Sequence, residues 1–173
     1  LSVTKKVVAK VSEVGTVWGT AFQKSKERFF LGSFLKRHSG FGPLGTGGVY
    51  MVEKVSGNFA VAGSFNLQGV TPSNGGSALD MGSVTRVTTP VTADNYLANS
   101  TTNKNEPGRD LDAFAKIGKI SFGDVEMDEA NSQLVLVNLF NRQLITVNVS
   151  GGTSSLNGAS DCIWAMPWLF SST

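Results

Sequence analysis

The chain has 173 residues, of which 40% are hydrophobic and only 16% are charged, against a usual charged share of about 25%. The net charge of +2 offers no strong field for nucleic acid or an anionic membrane. No apolar run reaches the roughly 18 residues that a membrane-spanning helix needs. The single cysteine, Cys162, excludes an intrachain disulfide and a cysteine-based zinc site. The 20 glycines and the abundance of valine and small polar residues predict an all-β protein rich in turns.

Residues 1–57 predict strands separated by turns. Alternating valines in residues 1–16 predict an edge strand, or the last strand of a preceding unit. Residues 17–57 then contain VWGTAF, a charged turn, RFFLGSFL, a glycine-rich loop and VYMVEKVSG. This order predicts three strands, with the apolar middle segment at the centre.

Residues 58–119 have the least regular pattern. Phe59–Phe65 and Val84–Val91 predict strands, and Leu111–Ile117 predicts one or two helical turns. The polar residues 95–109 between them predict a long exposed loop. We interpret the whole stretch as a degenerate repeat of the unit formed by residues 17–57.

Residues 120–151 repeat the pattern of residues 17–57. Trp18-Gly19 aligns with Phe122-Gly123, the two segments end on the same Val-Ser-Gly, and residues 161–173 resemble the opening of another copy. Repeats of this kind predict β-propeller blades made of antiparallel strands. By their spacing, residues 1–173 form a single partial propeller domain with about three blades and an incomplete ring.

Two segments carry a resemblance to a known family. Residues 34–50, FLKRHSGFGPLGTGGVY, and the strand pattern of residues 122–149 resemble the propeller-like domain of large secreted or cell-surface proteins, which is often associated with SdrD-type B-repeat modules. The resemblance covers most of the chain and is weakest in residues 58–110. It implies an extracellular or cell-surface location and supplies no catalytic residues.

The glycine loop, residues 36–48, begins with the basic cluster Lys36, Arg37 and His38. We expect this cluster to anchor the loop by hydrogen bonds to its carbonyl groups, with Phe41 packed beneath it. The alternative is that His38 acts as a general base, although no serine or cysteine stands at a diagnostic spacing. The loop lacks the Gly-Lys-Ser/Thr ending of a phosphate-binding P-loop.

Three carboxylates, Asp124, Glu126 and Asp128, alternate along one predicted strand. Oxygen ligands suit Ca²⁺, so these residues are the weak metal candidates of the chain. On a straight strand, however, they spread over roughly 13 Å, too far for one ion. The favoured interpretation is therefore a solvated strand face, and we expect no cofactor.

Further candidates are a glycosylation position and three aromatic residues. Asn99 lies in an Asn-Ser-Thr sequon within the polar loop, where glycosylation is plausible if the source glycosylates. Trp18, Phe122 and Trp164 occupy aligned positions. We expect them to form the core between blades, and the alternative is a carbohydrate-stacking platform.

The leading hypothesis is a non-catalytic structural or interaction module of a secreted or cell-surface protein, acting in scaffolding, adhesion or extracellular assembly. The alternatives are a metal-dependent propeller hydrolase or lactonase and a carbohydrate-binding propeller. Expected partners are other proteins, further blades of the same parent chain or a glycan, with no nucleic acid and no membrane insertion. Apolar surfaces near Val7–Val14 and Trp164–Phe170 predict that the isolated chain associates.

Overall fold

The structure is a computed structural model that describes residues 5–85 and 110–151, together with the backbone of residues 163–167. The described residues form eight strands and two short α-helices. The strands are β1 (Val17–Gln23), β2 (Arg28–Ser33), β3 (Gly48–Val55), β4 (Asn58–Asn66), β5 (Phe122–Asp128), β6 (Gln133–Asn138), β7 (Gln143–Asn148) and β8 (Ile163–Pro167). The helices are α1 (Val11–Val14) and α2 (Leu111–Lys116).

The strands form two antiparallel sheets of four strands each. The first sheet has the order β1-β2-β3-β4 and the second has the order β5-β6-β7-β8, so each strand pairs with its neighbour in sequence. Such up-and-down sheets need only short connections. The predicted all-β fold with antiparallel sheets is confirmed.

The two sheets share one pattern of strand pairing. In the first sheet a bulge separates the pairs Val17–Ser33 and Thr20–Leu31. In the second sheet a bulge at the same place separates the pairs Phe122–Asn138 and Val125–Leu136. A bulge changes both the twist and the register of a strand, so the two sheets have the same strand geometry at this point.

The first turn of each sheet repeats as well. The β1–β2 turn ends at Glu27, with φ of 48°, and the β5–β6 turn ends at Ser132, with φ of 52°. Few residues other than glycine adopt this left-handed conformation. The next pairs, Gln23 with Arg28 and Asp128 with Gln133, also correspond. The equivalence therefore extends from the bulge through the turn.

The hydrophobic core lies between the two sheets. The first sheet contributes Ala21, Phe30, Val49, Met51 and Phe65, and the second contributes Phe122, Val125, Leu134, Leu136, Ile145 and Val147. Burial was predicted for five residues, of which Phe30, Leu134, Leu136 and Val147 are buried. Leu31 is only half-buried because it points to the opposite face of the first sheet from Phe30.

The sheets approach most closely where β1 passes β5. A Cβ atom on Gly19 would lie 2.7 Å from the backbone nitrogen of Val125 and 2.8 Å from the carbonyl oxygen of Gly123. A Cβ atom on Gly32 would lie 2.8 Å from Cγ2 of Val125. Real Cβ atoms do not approach other atoms this closely, so glycine at both positions permits the packing of the two sheets.

The predicted division of the first half of the chain is wrong by one strand. β4 (Asn58–Asn66) pairs along its whole length with β3, so the first unit continues past residue 57. Within the described parts of residues 67–121 there is no further strand, and only α2 is regular. The described residues therefore contain two sheets, and residues 58–119 supply no separate third blade there.

The prediction that residues 161–173 open another repeat is also wrong where the structure describes them. Residues 163–167 pair with β7, with Ile163 opposite Val147 and Pro167 opposite Gln143. They complete the second sheet as its fourth strand. The remaining residues of that range, including most of the predicted apolar end at Trp164–Phe170, lie outside the described residues.

The edge strand predicted in residues 1–16 is wrong for the described residues 5–16. Residues 5–10 have no regular structure, and residues 11–14 form α1. The valines at 7, 11 and 14 are spaced as on one face of a helix, although the valines of residues 1–16 were interpreted as the alternation of a strand. A pattern this short does not distinguish a helix from a strand. The Lys10 backbone N–H donates to Glu13 Oε2 at 2.7 Å, which closes the helical turn.

Candidate functional site

The two ends of the stacked sheets differ in the length of their connections. At one end, here called the turn end, residues 24–27, 56–57 and 129–132 form short turns, and the longer connection 149–162 leads from β7 to β8. At the other end, the loop end, the connections are residues 34–47, 67–121 and 139–142. Because long loops on a rigid scaffold commonly carry binding residues, the loop end is the first place to look for a site.

The glycine loop is held at the loop end through the main chain of His38. Its N–H donates to Asp110 Oδ2 at 2.7 Å, and its φ is 61°. The imidazole Nδ1 is buried and has no hydrogen-bond partner among the described residues. The sequence singled out the side chain of His38, whereas the structure places its backbone N–H on the buried carboxylate of Asp110.

Aromatic contacts accompany this hydrogen bond. Phe41 is half-buried and packs against a small cluster formed by Leu35, Ala113 and Ile120. The Arg37 guanidinium carbon lies 5.4 Å from the centre of the Phe114 ring, within range of a cation–π interaction. Lys36 is exposed. The glycine loop is therefore docked on α2 and the strand that follows it.

A buried serine joins the glycine loop to both sheets. The Ser121 hydroxyl lies 2.7 Å from the carbonyl oxygen of Ser33 and 2.6 Å from that of Thr46, and its one proton serves either acceptor. The Thr46 hydroxyl in turn donates to the carbonyl oxygen of Gly82 at 2.8 Å. Ser121 itself has φ of 65°. Nothing in the local sequence pattern indicated this junction.

A buried arginine, also missed by the sequence pattern, ties the sheets together near the turn end. The Arg28 side chain is fully buried. Its Nε donates to Gln23 Oε1 at 2.6 Å, and its Nη atoms donate to the carbonyl oxygens of Val149 and Gly151. Burial lowers the pKa of Arg28, and the charge of Glu53 opposes that effect. The carbonyl groups that follow β7 in the second half of the chain thus stabilise the positive charge of Arg28 in the first sheet.

The acidic strand does not form a metal site in the described part of the chain. Asp124 and Glu126 are exposed, and residues 5–85 and 110–151 contain no group of three acidic, histidine or cysteine side chains suited to hold a metal. Asp128 accepts hydrogen bonds from the backbone and the side chain of Asn131 at 3.1 and 2.7 Å. These bonds, the side-chain one foremost, lower the pKa of Asp128. Asp128 therefore organises the β5–β6 turn.

The loop end contains an open pocket with a volume of about 500 Å³. Residues from two connections, 67–121 and 139–142, line it: Asp80, Lys116, Lys119, Leu139, Phe140 and Arg142 are among them. The side chain of Phe140 is 47% exposed. Three cations against one carboxylate make the lining positively charged.

A buried amide organises the walls of this pocket. Asn138 is fully buried, and its Oδ1 accepts the N–H groups of Phe140 and Asn141 at 3.0 and 3.3 Å. Its Nδ2 donates to the carbonyl oxygen of Asp80 at 3.0 Å. One side chain therefore fixes the β6–β7 turn and joins it to the opposite wall.

Helix α2 is braced beside the pocket by an ion pair. Lys116 Nζ lies 2.7 Å from Asp112 Oδ1, and Asp112 Oδ2 accepts the N–H of Thr85 at 2.5 Å. Burial raises the pKa of Asp112, but the hydrogen bonds from Lys116 and Thr85 lower it further, so the net shift is downward. Asp112 is thus held in its charged form.

A second feature, the outer aromatic face, lies on the side of the first sheet away from the second. It comprises Trp18, Phe22 and Phe29, which are 71%, 44% and 37% exposed. The Phe22 and Phe29 ring centres are 4.6 Å apart, and Phe29 lies 5.6 Å from Phe59. Phe22, Phe29 and Phe59 therefore form a contiguous aromatic patch, while Trp18 contacts Phe34, with ring centres 5.7 Å apart.

The expected equivalence of Trp18 with Phe122 is shifted by one residue. Strand pairing makes Val17 the counterpart of Phe122. Phe122 is fully buried in the core between the sheets, whereas Trp18 points outward. The core role predicted for both is therefore correct for Phe122 and wrong for Trp18; the side chain of Trp164 lies outside the described residues.

Comparison with known proteins found a similar chain. This chain is similar to Colossin-D of Dictyostelium discoideum. The two are 25% identical over 144 residues, which are 83% of this chain and 13% of Colossin-D. The chain thus spans a small fraction of the length of that protein. No protein-family model and no solved structure matches it.

Two further expectations concern glycosylation and membrane-spanning helices. Asn99, the expected glycosylation position, lies outside the described residues. Within the described ranges, neither helix is long and apolar enough to cross a membrane.

Proposed function

We propose that the chain is a non-catalytic structural and interaction module of a secreted or cell-surface protein, and that its two sheets are blades of a β-propeller. The observation that carries the proposal is the repeated strand pairing of the two sheets, which stack face to face through one core. A propeller is built by this relationship, repeated around an axis.

The stacking is head to tail, so the two faces of each sheet have different roles. Strand pairing makes five residues of the first sheet equivalent to five of the second. The equivalent pairs are Phe22 and Met127, Phe29 and Leu134, Leu31 and Leu136, Tyr50 and Ile145, and Val52 and Val147. The second set packs against the first sheet. The first set lies on the outer face, where Phe22 and Phe29 are exposed while Tyr50 and Val52 are already buried by other parts of the chain.

This equivalence supports a specific partner for the outer aromatic face. The face corresponds to a surface that is buried by a neighbouring sheet elsewhere in the same molecule. Heterologous contacts of this kind extend until a ring closes or a filament forms. We infer that another four-stranded sheet covers Phe22 and Phe29.

The packing glycines restrict which sheet fits. In the second sheet, the positions equivalent to Gly19 and Gly32 hold Asp124 and Val137. Both side chains would obstruct the close approach that the glycines allow. A second copy of this chain therefore packs less closely and associates only at micromolar concentration, whereas a blade that carries small residues at these two positions, supplied by the parent protein or by another protein, fits better.

Several features support the extracellular or cell-surface location. Charged residues make up only 16% of the chain, and the family that the glycine loop resembles is secreted or surface-bound. The similarity to Colossin-D covers 13% of that protein, which fits a module within a larger protein. Scaffolding, adhesion and extracellular assembly are the roles that such a module serves.

Sedimentation of the purified chain tests the proposed interaction surface. Apolar patches of this kind cause association, so the chain should show a concentration-dependent sedimentation coefficient at micromolar concentration. The double variant Phe22→Ser/Phe29→Ser should sediment as a monomer. The control Phe114→Ser changes a more exposed aromatic residue on α2 and should behave as the unmodified chain. A chain that is monomeric throughout, or variants that all associate alike, would overturn the proposal.

An activity measurement separates the module from the propeller hydrolase. Ester and lactone hydrolysis is measured with Ca²⁺ or Zn²⁺, together with calorimetric titration of each metal. The proposal predicts no stoichiometric metal binding and no turnover above background. Turnover that disappears in Asp124→Ala would assign the chain to the enzyme class instead.

A further inference from the structure

We propose that the loop-end pocket binds a sugar that carries a carboxylate group. Phe140 would stack against a face of the sugar ring, and Arg142 would bind the carboxylate. The proposal concerns a different surface from the outer aromatic face and does not depend on it.

The size and shape of the pocket suit such a ligand. Its volume of about 500 Å³ lies within the range of roughly 300–1,000 Å³ typical of small-molecule sites. It is bounded by the β6–β7 turn on one side and by the segment around Asp80 and the residues after α2 on the other. A ring-sized ligand could therefore contact all three of these segments at once.

Phe140 supplies an apolar platform that is already in position. One edge of its ring lies against Gly82, where a Cβ atom would fall 2.9 Å from Phe140 Cδ2. Gly82 also has φ of 73°, which favours glycine. The ring is thus backed by main chain while nearly half of the side chain remains exposed. An exposed aromatic ring held in this way presents its face to the apolar C–H groups of a sugar.

The charges around Phe140 favour a negative group on that sugar. Lys116 and Lys119 are each occupied, by Asp112 and by the carbonyl oxygen of Ala115 respectively. Arg142 is exposed and has no side-chain partner among the described residues. A guanidinium binds a carboxylate through two parallel hydrogen bonds, so Arg142 is the residue available to fix the acid group.

Asp80 supplies an acceptor for hydroxyl groups. Its Oδ1 accepts the N–H of Gly82 at 2.8 Å, which orients the carboxylate at the pocket wall. A carboxylate accepts hydrogen bonds at both oxygens, and sugar hydroxyls are donors. The pocket therefore combines a stacking surface, a cation and an acceptor, the set that distinguishes an acidic sugar from a simple anion.

The pocket is also organised before any ligand arrives. The buried Asn138 fixes both Phe140 and the backbone of Asp80, so little ordering accompanies binding. Preorganisation of this kind increases affinity because fewer side chains lose freedom on binding.

Calorimetric titration with two matched oligosaccharides tests the proposal. The probes are a tetrasaccharide that contains glucuronic acid and its neutral counterpart built from glucose. The chain should bind the acidic probe with millimolar or tighter affinity and the neutral one at least about tenfold more weakly, the effect of losing one charge-assisted hydrogen bond. Equal binding of both probes, or no binding of either, would overturn the proposal.

Four variants locate the binding site. Phe140→Ala and Arg142→Ala should each weaken binding of the acidic probe about tenfold. The controls Phe114→Ala and Lys54→Ala remove the same kinds of group at exposed positions outside the pocket and should leave the affinity unchanged. If Lys54→Ala weakens binding as much as Arg142→Ala, the attraction is a general charge effect and the site does not exist. Circular dichroism of each variant shows that the sheets remain folded.

Discussion

Phe29 of β2 and Leu134 of β6 occupy the same position in their two sheets, yet Leu134 is fully buried and Phe29 is exposed. Leu134 packs against the first sheet, whereas no described sheet covers Phe29. The difference follows from head-to-tail stacking, in which each sheet buries one face against its predecessor and offers the other to its successor. It makes the stacking contact the central feature of this molecule.

The contact between Gly32 and Val125 should respond to a double-mutant cycle. Gly32→Ala places a Cβ atom 2.8 Å from Val125 Cγ2 and should lower the free energy of unfolding by about 1–3 kcal/mol through overpacking. In a Val125→Ala background the same change should cost at least about 1 kcal/mol less, because the obstructing methyl group is gone. Urea unfolding of the four proteins measures the coupling.

Gly19 provides the contrast to Gly32. A Cβ atom there meets Val125 Cγ2 and also the backbone of Val125 and Gly123, so Val125→Ala removes only one of these clashes and should rescue Gly19→Ala less than it rescues Gly32→Ala. If Val125→Ala rescues both glycine variants to the same extent, the backbone of β1 does not approach the backbone of β5 as closely as described.

Removal of the Arg28 guanidinium should weaken the junction of the two sheets. Arg28→Ala leaves the carbonyl oxygens of Val149 and Gly151 and the Gln23 side chain without their donor. We expect a loss of about 3 kcal/mol or more in the free energy of unfolding, because each buried acceptor left without its donor costs roughly 1–3 kcal/mol. The exposed Lys54 of the Glu27 ion pair is the control, and Lys54→Ala should cost less than about 1 kcal/mol. Similar losses for the two variants would contradict the buried position of Arg28.

Truncation of Leu136 tests the core between the sheets. Leu136 is fully buried, so Leu136→Ala should lower the free energy of unfolding by about 2–5 kcal/mol. Leu111→Ala, at a half-exposed position of α2, should change it by less than about 0.5 kcal/mol. A loss below half a kcal/mol for Leu136→Ala in denaturant unfolding would remove β6 from the core.

The left-handed residue of the β5–β6 turn predicts a stabilising substitution. Ser132 has φ of 52°, a conformation that costs most residues roughly 1–2 kcal/mol and costs glycine little. Ser132→Gly should therefore raise the midpoint of thermal unfolding. Asn131→Gly, one residue earlier, loses the side-chain hydrogen bond to Asp128 and should lower it. If Ser132→Gly lowers the midpoint of thermal unfolding and Asn131→Gly raises it, the turn has a different conformation.

The sequence predicted the strands best where a short apolar segment stands between two turns. Strands were expected at Phe29–Leu35, Val49–Val55 and Phe59–Phe65, and β2, β3 and β4 lie there. The grouping of strands into sheets failed, because hydrogen-bond pairing between distant segments leaves little mark on local composition. Nothing in the pattern of Asn58–Asn66 indicates that it pairs with the strand before it and belongs to the first sheet.

The loop end was predicted only in part. The glycine loop was found by its composition, but one of its anchors is the N–H of His38 on Asp110, a backbone group that no residue pattern identifies. Arg28, Ser121 and Asn138 were missed because a polar residue in a strand is usually exposed, and only the folded structure shows that these three are buried with their hydrogen bonds satisfied. An arginine directly before the apolar residues of a strand was the one available signal.

Oxidative footprinting by hydroxyl radicals tests the central claim, that the outer aromatic face is a sheet-packing surface. In the dilute chain, Phe22 and Phe29 should be oxidised readily, and the buried Phe30 and Phe122 should be protected. As the concentration rises and the chain associates, Phe22 and Phe29 should become protected while Phe114 stays reactive. If association leaves Phe22 and Phe29 as reactive as in the dilute chain, or protects Phe114 in their place, the first sheet does not pack through this face and the account is wrong.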